Sequence, residues 1–228
     1  MRRPARVRSS PSALRLAEAA VALCAGLGTA SVVGAATLVI HVQAADGRAL
    51  VGAVVSARPL DSPARHAAPL HAVMDQVNRT FVPNVLVVPV GSTVEFPNSD
   101  SIRHQIYSFS PPKRFELPLY RGKPYPPVRF DQPGIVTLGC NIHDEMMAYV
   151  LVTDAPYFGR TDDAGAWSAE LPRGRYRVSL WHPRLREPDA EVERELSVGD
   201  ADRAELTVHL SRPLQPAPLA PNLHSQDY

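Results

Sequence analysis

Cys140-Asn141-Ile142-His143-Asp144-Glu145-Met146-Met147 sets a thiol, an imidazole and a thioether within seven consecutive positions, Cys140 to Met146. Whatever this chain folds into must hold that loop and bring it partners from elsewhere. The other cysteine, Cys24, lies in an apolar N-terminal run that reads as part of an export signal. A lone cysteine in an exported protein has no disulfide partner and needs another role. Soft sulfur donors beside imidazole suit copper, and a thiolate, two histidines and a weak axial methionine make a blue-copper electron-transfer site. Cys140, His143 and a methionine supply three of those donors. The second histidine has to come from a distant part of the chain.

Residues 1–36 carry Arg2, Arg3, Arg6, Arg8 and Arg15 ahead of a small apolar run from Ala19 to Ala36. This is the pattern of a secretory signal peptide, with Val33-Gly34-Ala35-Ala36 offering cleavage after Ala35 or Ala36. The run is rich in Gly, Ala and Ser and marginal as a spanning helix, so a retained anchor is the weaker alternative. The expected location is the periplasm, with no stable membrane insertion after cleavage. Removing the five arginines and Glu18 takes the formal charge from +1 to about −3. No basic run remains of the kind that nucleic acid selects.

Proline argues for strands over helices. There are 23 prolines in the 228 residues, about twice the ordinary frequency. Proline breaks helices but is tolerated at turns and strand edges. Alternation with a period of two runs through Leu38, Ile40 and Val42, through Tyr176, Val178 and Leu180, and through Ala204, Leu206, Val208 and Leu210. Phe81 to Asn98 reads as two strands about a turn at Gly91. Gln105 to Phe109, Val128 to Phe130, Ile135 to Cys140 and Tyr149 to Val152 read as further strands. Residues 110–127 hold six prolines and read as an irregular excursion. The fold class expected is all-β.

At His104 and Cys140 the pattern becomes specific. Gly91 lies between two strands, Phe96-Pro97-Asn98 ends the second, and His104 follows in a polar loop. Over residues 74–153 this resembles a cupredoxin, the fold of plastocyanin and amicyanin. In that family the first histidine comes from such a loop and the other ligands share one loop between the last two strands. The spacing Cys-x2-His-x2-Met is similar to the short ligand loop of amicyanin. The resemblance implies a Greek-key β-sandwich holding one copper ion, Cu(II)/Cu(I), by His104, Cys140, His143 and Met146, with Met147 as the alternative axial donor. It also implies supporting residues at Asn98, Gln105 and Asn141. Many cupredoxins carry Asn after the first histidine and Thr or Ser after the cysteine, which tie the two ligand loops together; a Gln105–Asn141 amide pair is the expected counterpart here. Asp144 and Glu145 read either as a solvated turn or as a docking face for a basic redox partner. The whole chain resembles bacterial exported proteins of the methylamine-utilisation type.

The flanking segments resemble a second sandwich. Asp46-Gly47-Arg48-Ala49-Leu50, Gly52-Ala53-Val54-Val55, Asp162-Asp163-Ala164-Gly165 and Leu171-Pro172-Arg173-Gly174 are similar to the turns and strands of the carboxypeptidase-regulatory or transthyretin-like, Ig-like sandwich. The implied organisation is a signal at 1–36, the first part of this sandwich at 37–70, an inserted cupredoxin domain at 71–155, the second part at 156–212 and a disordered tail at 213–228. Two consecutive domains are the alternative. The expected function is periplasmic one-electron transfer to or from a protein partner, such as a basic cytochrome or dehydrogenase, and not enzymatic turnover. Copper delivery without redox cycling, and a purely structural interaction module, are the rival expectations.

Overall fold

Apolar residues at every second position make strands, and the described residues hold seventeen of them and no helix. The computed structural model describes residues 34–216 except 64, 123, 144 and 186–191. The fold is all-β.

β1 (Ala35–Gln43) and β2 (Val54–Pro59) come first. The middle of the chain follows with β3 (His71–Val73), β4 (Asp75–Val77), β5 (Thr80–Val82), β6 (Val85–Pro89) and β7 (Ser92–Glu95). β8 (His104–Ser108), β9 (Phe115–Tyr120), β10 (Val128–Phe130), β11 (Gly134–Gly139) and β12 (Met147–Thr153) complete it. Last come β13 (Tyr157–Arg160), β14 (Ala166–Pro172), β15 (Gly174–Trp181), β16 (Val192–Val198) and β17 (Arg203–His209).

Pairing joins the two outer parts of the chain. β1 lies between β14 and β17, and β2 lies between β13 and β15 in the order β13-β2-β15-β16. Successive side chains in a strand point to opposite faces. Leu38, Ile40 and Val42 of β1 therefore meet Val55 and Ala57 of β2 and Tyr176, Val178 and Leu180 of β15 in one buried core. The middle of the chain forms a five-stranded sheet, β6-β12-β11-β8-β9, and a three-stranded sheet, β10-β7-β3. Met74, Phe81, Phe96, Ile106, Phe130, Val136, Leu138 and Val150 fill the core of this second sandwich.

The outward faces of β2 and β15 are not wholly polar. Val54 and Trp181 pack against Val85 and Leu151 of the middle sandwich and form a small apolar interface. Arg58 at the end of β2 makes two hydrogen bonds to the Asp154 carboxylate just past β12. The chain thus leaves and rejoins the outer sandwich at one place.

Three stretches differ from the sequence expectations. Residues 1–33 of the expected signal lie outside the described residues, but Ala35 and Ala36 open β1, where Ala36 is buried and opposite Leu171. Ala36 continues the inward alternation of Leu38 and Ile40, so the strand starts before residue 37. The excursion at 110–127 contains a regular strand, β9, paired with β8. Pro118 is tolerated because β9 is the edge of its sheet and needs no outward N–H partner. At the other end, residues 213–216 are held where a disordered tail was expected. The Gln215 N–H donates to the Arg184 carbonyl at 2.8 Å, and Arg184 Nε donates back to the Gln215 carbonyl at 2.7 Å. Leu214 packs on the outer core, and residues 217–228 lie outside the described residues.

Candidate metal centre

The ends of three strands converge. β8 begins at His104, β11 ends just before Cys140, and β12 begins just after Met146. β11 and β12 are antiparallel neighbours with Gly139 opposite Met147, so the residues between them must turn within one short loop. The Met146 N–H donates to the His143 carbonyl at 2.9 Å and closes that loop. Gly139 is also opposite Tyr107 of β8, which sets the distant histidine beside the cysteine. A Cβ at Gly139 would lie 2.8 Å from the Tyr107 ring and hydroxyl, so a side chain there would push that ring aside.

His104, Cys140 and His143 each offer one donor atom, and these atoms all lie within 4.8 Å of one another. The two imidazole rings are tilted at 60° with centroids 5.1 Å apart. His104 is fully buried, Cys140 is buried, and His143 is half-buried with its Nδ1 shielded from solvent. Met146 is 2% exposed and shares the core with Cys140. Met147 differs. It is 46% exposed, and its sulfur accepts a hydrogen bond from the Tyr149 hydroxyl at 3.1 Å. Strand alternation explains the difference, because Met147 and Tyr149 share the face opposite Ala148 and Val150.

The electrostatics favour a thiolate facing an imidazole. Burial opposes the charged form of Cys140, but the facing His104 ring and the backbone N–H groups of Ile142 and Gln105 outweigh it. The thiol is held below its ordinary value. Burial likewise opposes protonation of His104, but Cys140 and Asp100 together raise it above its ordinary value. His104 Nδ1 lies 3.9 Å from the Cys140 sulfur, and its Nε2 lies 2.9 Å from Asp100 Oδ2.

The supporting residues sort differently from the sequence expectation. Asn98 is buried and ties the histidine loop down. Its amide donates to the carbonyls of Ile102 at 3.0 Å and Tyr120 at 2.8 Å, and its oxygen accepts the Asp100 N–H at 3.0 Å. The expected Gln105–Asn141 side-chain bridge is replaced. The Gln105 side chain turns to the outer face and donates to Glu116 at 2.6 Å, while Asn141 is exposed. Alternation forces this, because His104 and Ile106 face inward and Gln105 between them faces out. The Gln105 backbone N–H reaches the sulfur instead.

Asp100 and Gln76 were not singled out in the sequence. Asp100 had one legible signal, a carboxylate four residues before a candidate ligand in a polar loop. Gln76 is fully buried and donates to the Pro97 carbonyl at 2.9 Å and the Tyr120 hydroxyl at 2.5 Å. Tyr120 in turn donates to the Phe96 carbonyl at 2.6 Å. Gln76 had no signal, since it sits in a three-residue strand with no pattern.

No family model matches the sequence, and no curated protein matches it. Solved structures similar to part of the chain are cupredoxins and a copper enzyme. One is a copper-containing nitrite reductase from Thermus scotoductus SA-01, at 30% identity and a TM-score of 0.35, covering 42% of this chain and 25% of that one. Another is a purple cupredoxin from Nitrosopumilus maritimus, at 26% identity and a TM-score of 0.32, covering 36% of this chain and 96% of that one. A reduced amicyanin variant matches at 21% identity and a TM-score of 0.33, covering 43% of this chain and 99% of that one. The chain thus spans a quarter of the nitrite reductase and nearly all of the two small proteins.

Proposed function

We propose that this chain is an exported, periplasmic carrier of single electrons that binds one copper ion through His104, Cys140, His143 and Met146. The observation that carries this reading is the convergence of two imidazoles and a thiol within 4.8 Å. The donor chemistry fits copper: thiolate and thioether are soft ligands, and His2Cys with a weak axial methionine is the blue-copper set. Met146 is the axial donor of choice because it is buried with Cys140, whereas the Met147 sulfur is exposed and hydrogen bonded to Tyr149. Bound copper would supply a Cu(II)/Cu(I) couple.

The protein's own part is to hold the donors. Cys140 follows a strand paired on both sides, β8 and β12, and its sulfur accepts two backbone N–H groups. His104 starts a buried strand and is anchored by Asp100. Donors fixed in this way need little movement when charge arrives or leaves. Half-buried His143 gives a partner protein its nearest approach to the site. Glu145 is exposed beside it and suits a basic face on a cytochrome or dehydrogenase; Asp144, the other acidic residue of that docking expectation, lies outside the described residues.

The test is copper loading of the purified protein. One copper per chain and a strong visible band from thiolate-to-copper charge transfer are expected, with the band abolished in Cys140→Ser. A protein that takes up no copper removes the reading, and a colourless Cu(II) protein removes blue-copper electron transfer. A reversible wave in cyclic voltammetry separates electron transfer from copper delivery.

A further inference from the structure

Asp100 is a carboxylate placed against a member of the donor set by a hydrogen bond, and its surroundings hold it there. It lies in the loop between β7 and β8, with its side chain 12% exposed. Its Oδ2 faces His104 Nε2 at 2.9 Å and accepts the Arg79 N–H at 2.7 Å. Asn78 and Arg79 are the central residues of the β4–β5 hairpin, and both have positive φ, 52° and 58°. That is the geometry of the tight hairpin turn whose twist matches the strands. The turn directs backbone N–H groups at the carboxylate, with Asn78 contributing as well. The Asp100 N–H is fixed to Asn98 Oδ1 at 3.0 Å, and Asn98 is itself bound to the carbonyls of Ile102 and Tyr120. Asp100 is therefore clamped from its backbone and its side chain.

A carboxylate has only acceptors, so the hydrogen bond to His104 requires the proton to sit on Nε2. In the neutral ring, the form that can bind a metal, that leaves the Nδ1 lone pair directed to the side where Cys140 and His143 lie. From this, and resting on the copper reading above, we infer that Asp100 is a positioning residue that fixes the Nε2–H tautomer of His104 and, through its negative charge, biases the site toward Cu(II). A carboxylate behind a ligating imidazole raises its basicity, and loss of such a partner costs about 10–100-fold in metal affinity. Cu(II), the harder and more highly charged ion, gains more from a basic imidazole than Cu(I) does. Asp100 thus lowers the reduction potential.

Asp100→Asn tests the charge while keeping an oxygen that can accept the same hydrogen bonds. Its Cu(II) affinity is expected to fall about 10–100-fold, with a smaller loss for Cu(I). Each tenfold change in the ratio raises the midpoint potential by about 60 mV for one electron. Competition titrations with each oxidation state and spectroelectrochemistry read these two quantities. The tautomer is read without copper, from the ring ¹⁵N shifts of His104 in the copper-free wild-type protein, where protonated Nε2 is expected. A neutral ring that carries its proton on Nδ1 overturns the inference, and so does a midpoint in Asp100→Asn equal to that of the wild type. If Asp100→Asn does not fold, the wild-type tautomer decides. If the wild-type protein takes up no copper, the functional reading fails, while the tautomer still reports whether Asp100 holds His104.

Discussion

The two sandwiches each bury a histidine, and the two histidines are pushed in opposite directions. His104 in the middle sandwich is fully buried, faces Cys140 and Asp100, and is raised above its ordinary value. His182 follows β15 in the outer sandwich and is 9% exposed. Burial, with Arg184 and Arg160 nearby, pushes it down to about 4. Its Nδ1 accepts the Arg184 N–H at 3.2 Å, which is a bond only a neutral nitrogen can make. Desolvation disfavours the charged form in both places, so the partners decide the outcome. The middle sandwich has surrounded its histidine with anionic groups. The outer sandwich has made its histidine a neutral packing group. Among the described residues, the same residue type joins a cluster of metal-type donors in one core and not in the other.

The contrast depends on how firmly the sandwiches are joined, and the largest expected effect tests that joint. Trp181 is buried between them, packed with Val54, Val85 and Leu151, with its ring 5.2 Å from that of Tyr149. Trp181→Ala should cost about 3–5 kcal/mol. Denaturant unfolding followed by the remaining tryptophan, Trp167, measures it. An unchanged midpoint means that the interface contributes nothing to stability.

Copper sharpens the same question. Both tryptophans belong to strands of the outer sandwich, β14 and β15, while all four proposed ligands belong to the middle one. Copper at a thousand times its dissociation constant stabilises the state that binds it by about 4 kcal/mol. If the sandwiches unfold together through Trp181, the tryptophan-detected midpoint moves with copper. A midpoint indifferent to copper, in protein shown to be loaded, makes them independent units.

pH separates the histidines directly. His182 is depressed when folded, from 6.5 to about 4, so unfolding takes up a proton below pH 6.5. Its contribution to stability is complete above 6.5 and is lost as the pH falls toward 4, about 3 kcal/mol in all. His104 has the opposite sign. Its folded value is raised, so in copper-free protein its contribution is complete below 6.5 and declines as the pH rises through the folded value. Urea unfolding of copper-free wild type and His182→Asn between pH 7 and 4.5 isolates the first effect. Parallel pH curves for the two proteins would show that His182 is not held neutral.

The sequence made most of the long strands legible because their alternation is strong and their cores lie on one face. Leu38, Ile40 and Val42, or Tyr176, Val178 and Leu180, declare their inward side without tertiary information. The donor residues were legible because cysteine, histidine and methionine are rare enough to stand out at short spacing. What stayed hidden depends on contacts between distant segments. β3, β4 and β5 are three residues each, too short to show a period. β9 was masked by Pro118, whose cost disappears only at a sheet edge. Gln105 was assigned to the ligand bridge from its place after His104, but its side chain points out of the sheet toward Glu116. Asp100 looked like one more loop carboxylate until the hairpin turn at Asn78 and Arg79 closed over it.

The smallest expected effect lies in the choice between adjacent methionines. Met146→Leu nearly conserves volume, so the fold and the visible band should survive. The midpoint potential should move, because a weak axial ligand tunes the site more than it builds it. Met147→Leu removes an exposed sulfur and one hydrogen bond from Tyr149. Surface changes of this kind usually stay within about 0.5 kcal/mol, and neither colour nor potential should respond. The Met147 side chain shares its face with Tyr149, which packs on Trp181, so any consequence of its loss should reach the joint between the sandwiches before it reaches the donors. Spectroelectrochemistry of both variants decides the matter. A shift in Met147→Leu larger than in Met146→Leu would make Met147 the axial donor, and it would require the start of β12 to turn its exposed face inward when copper binds.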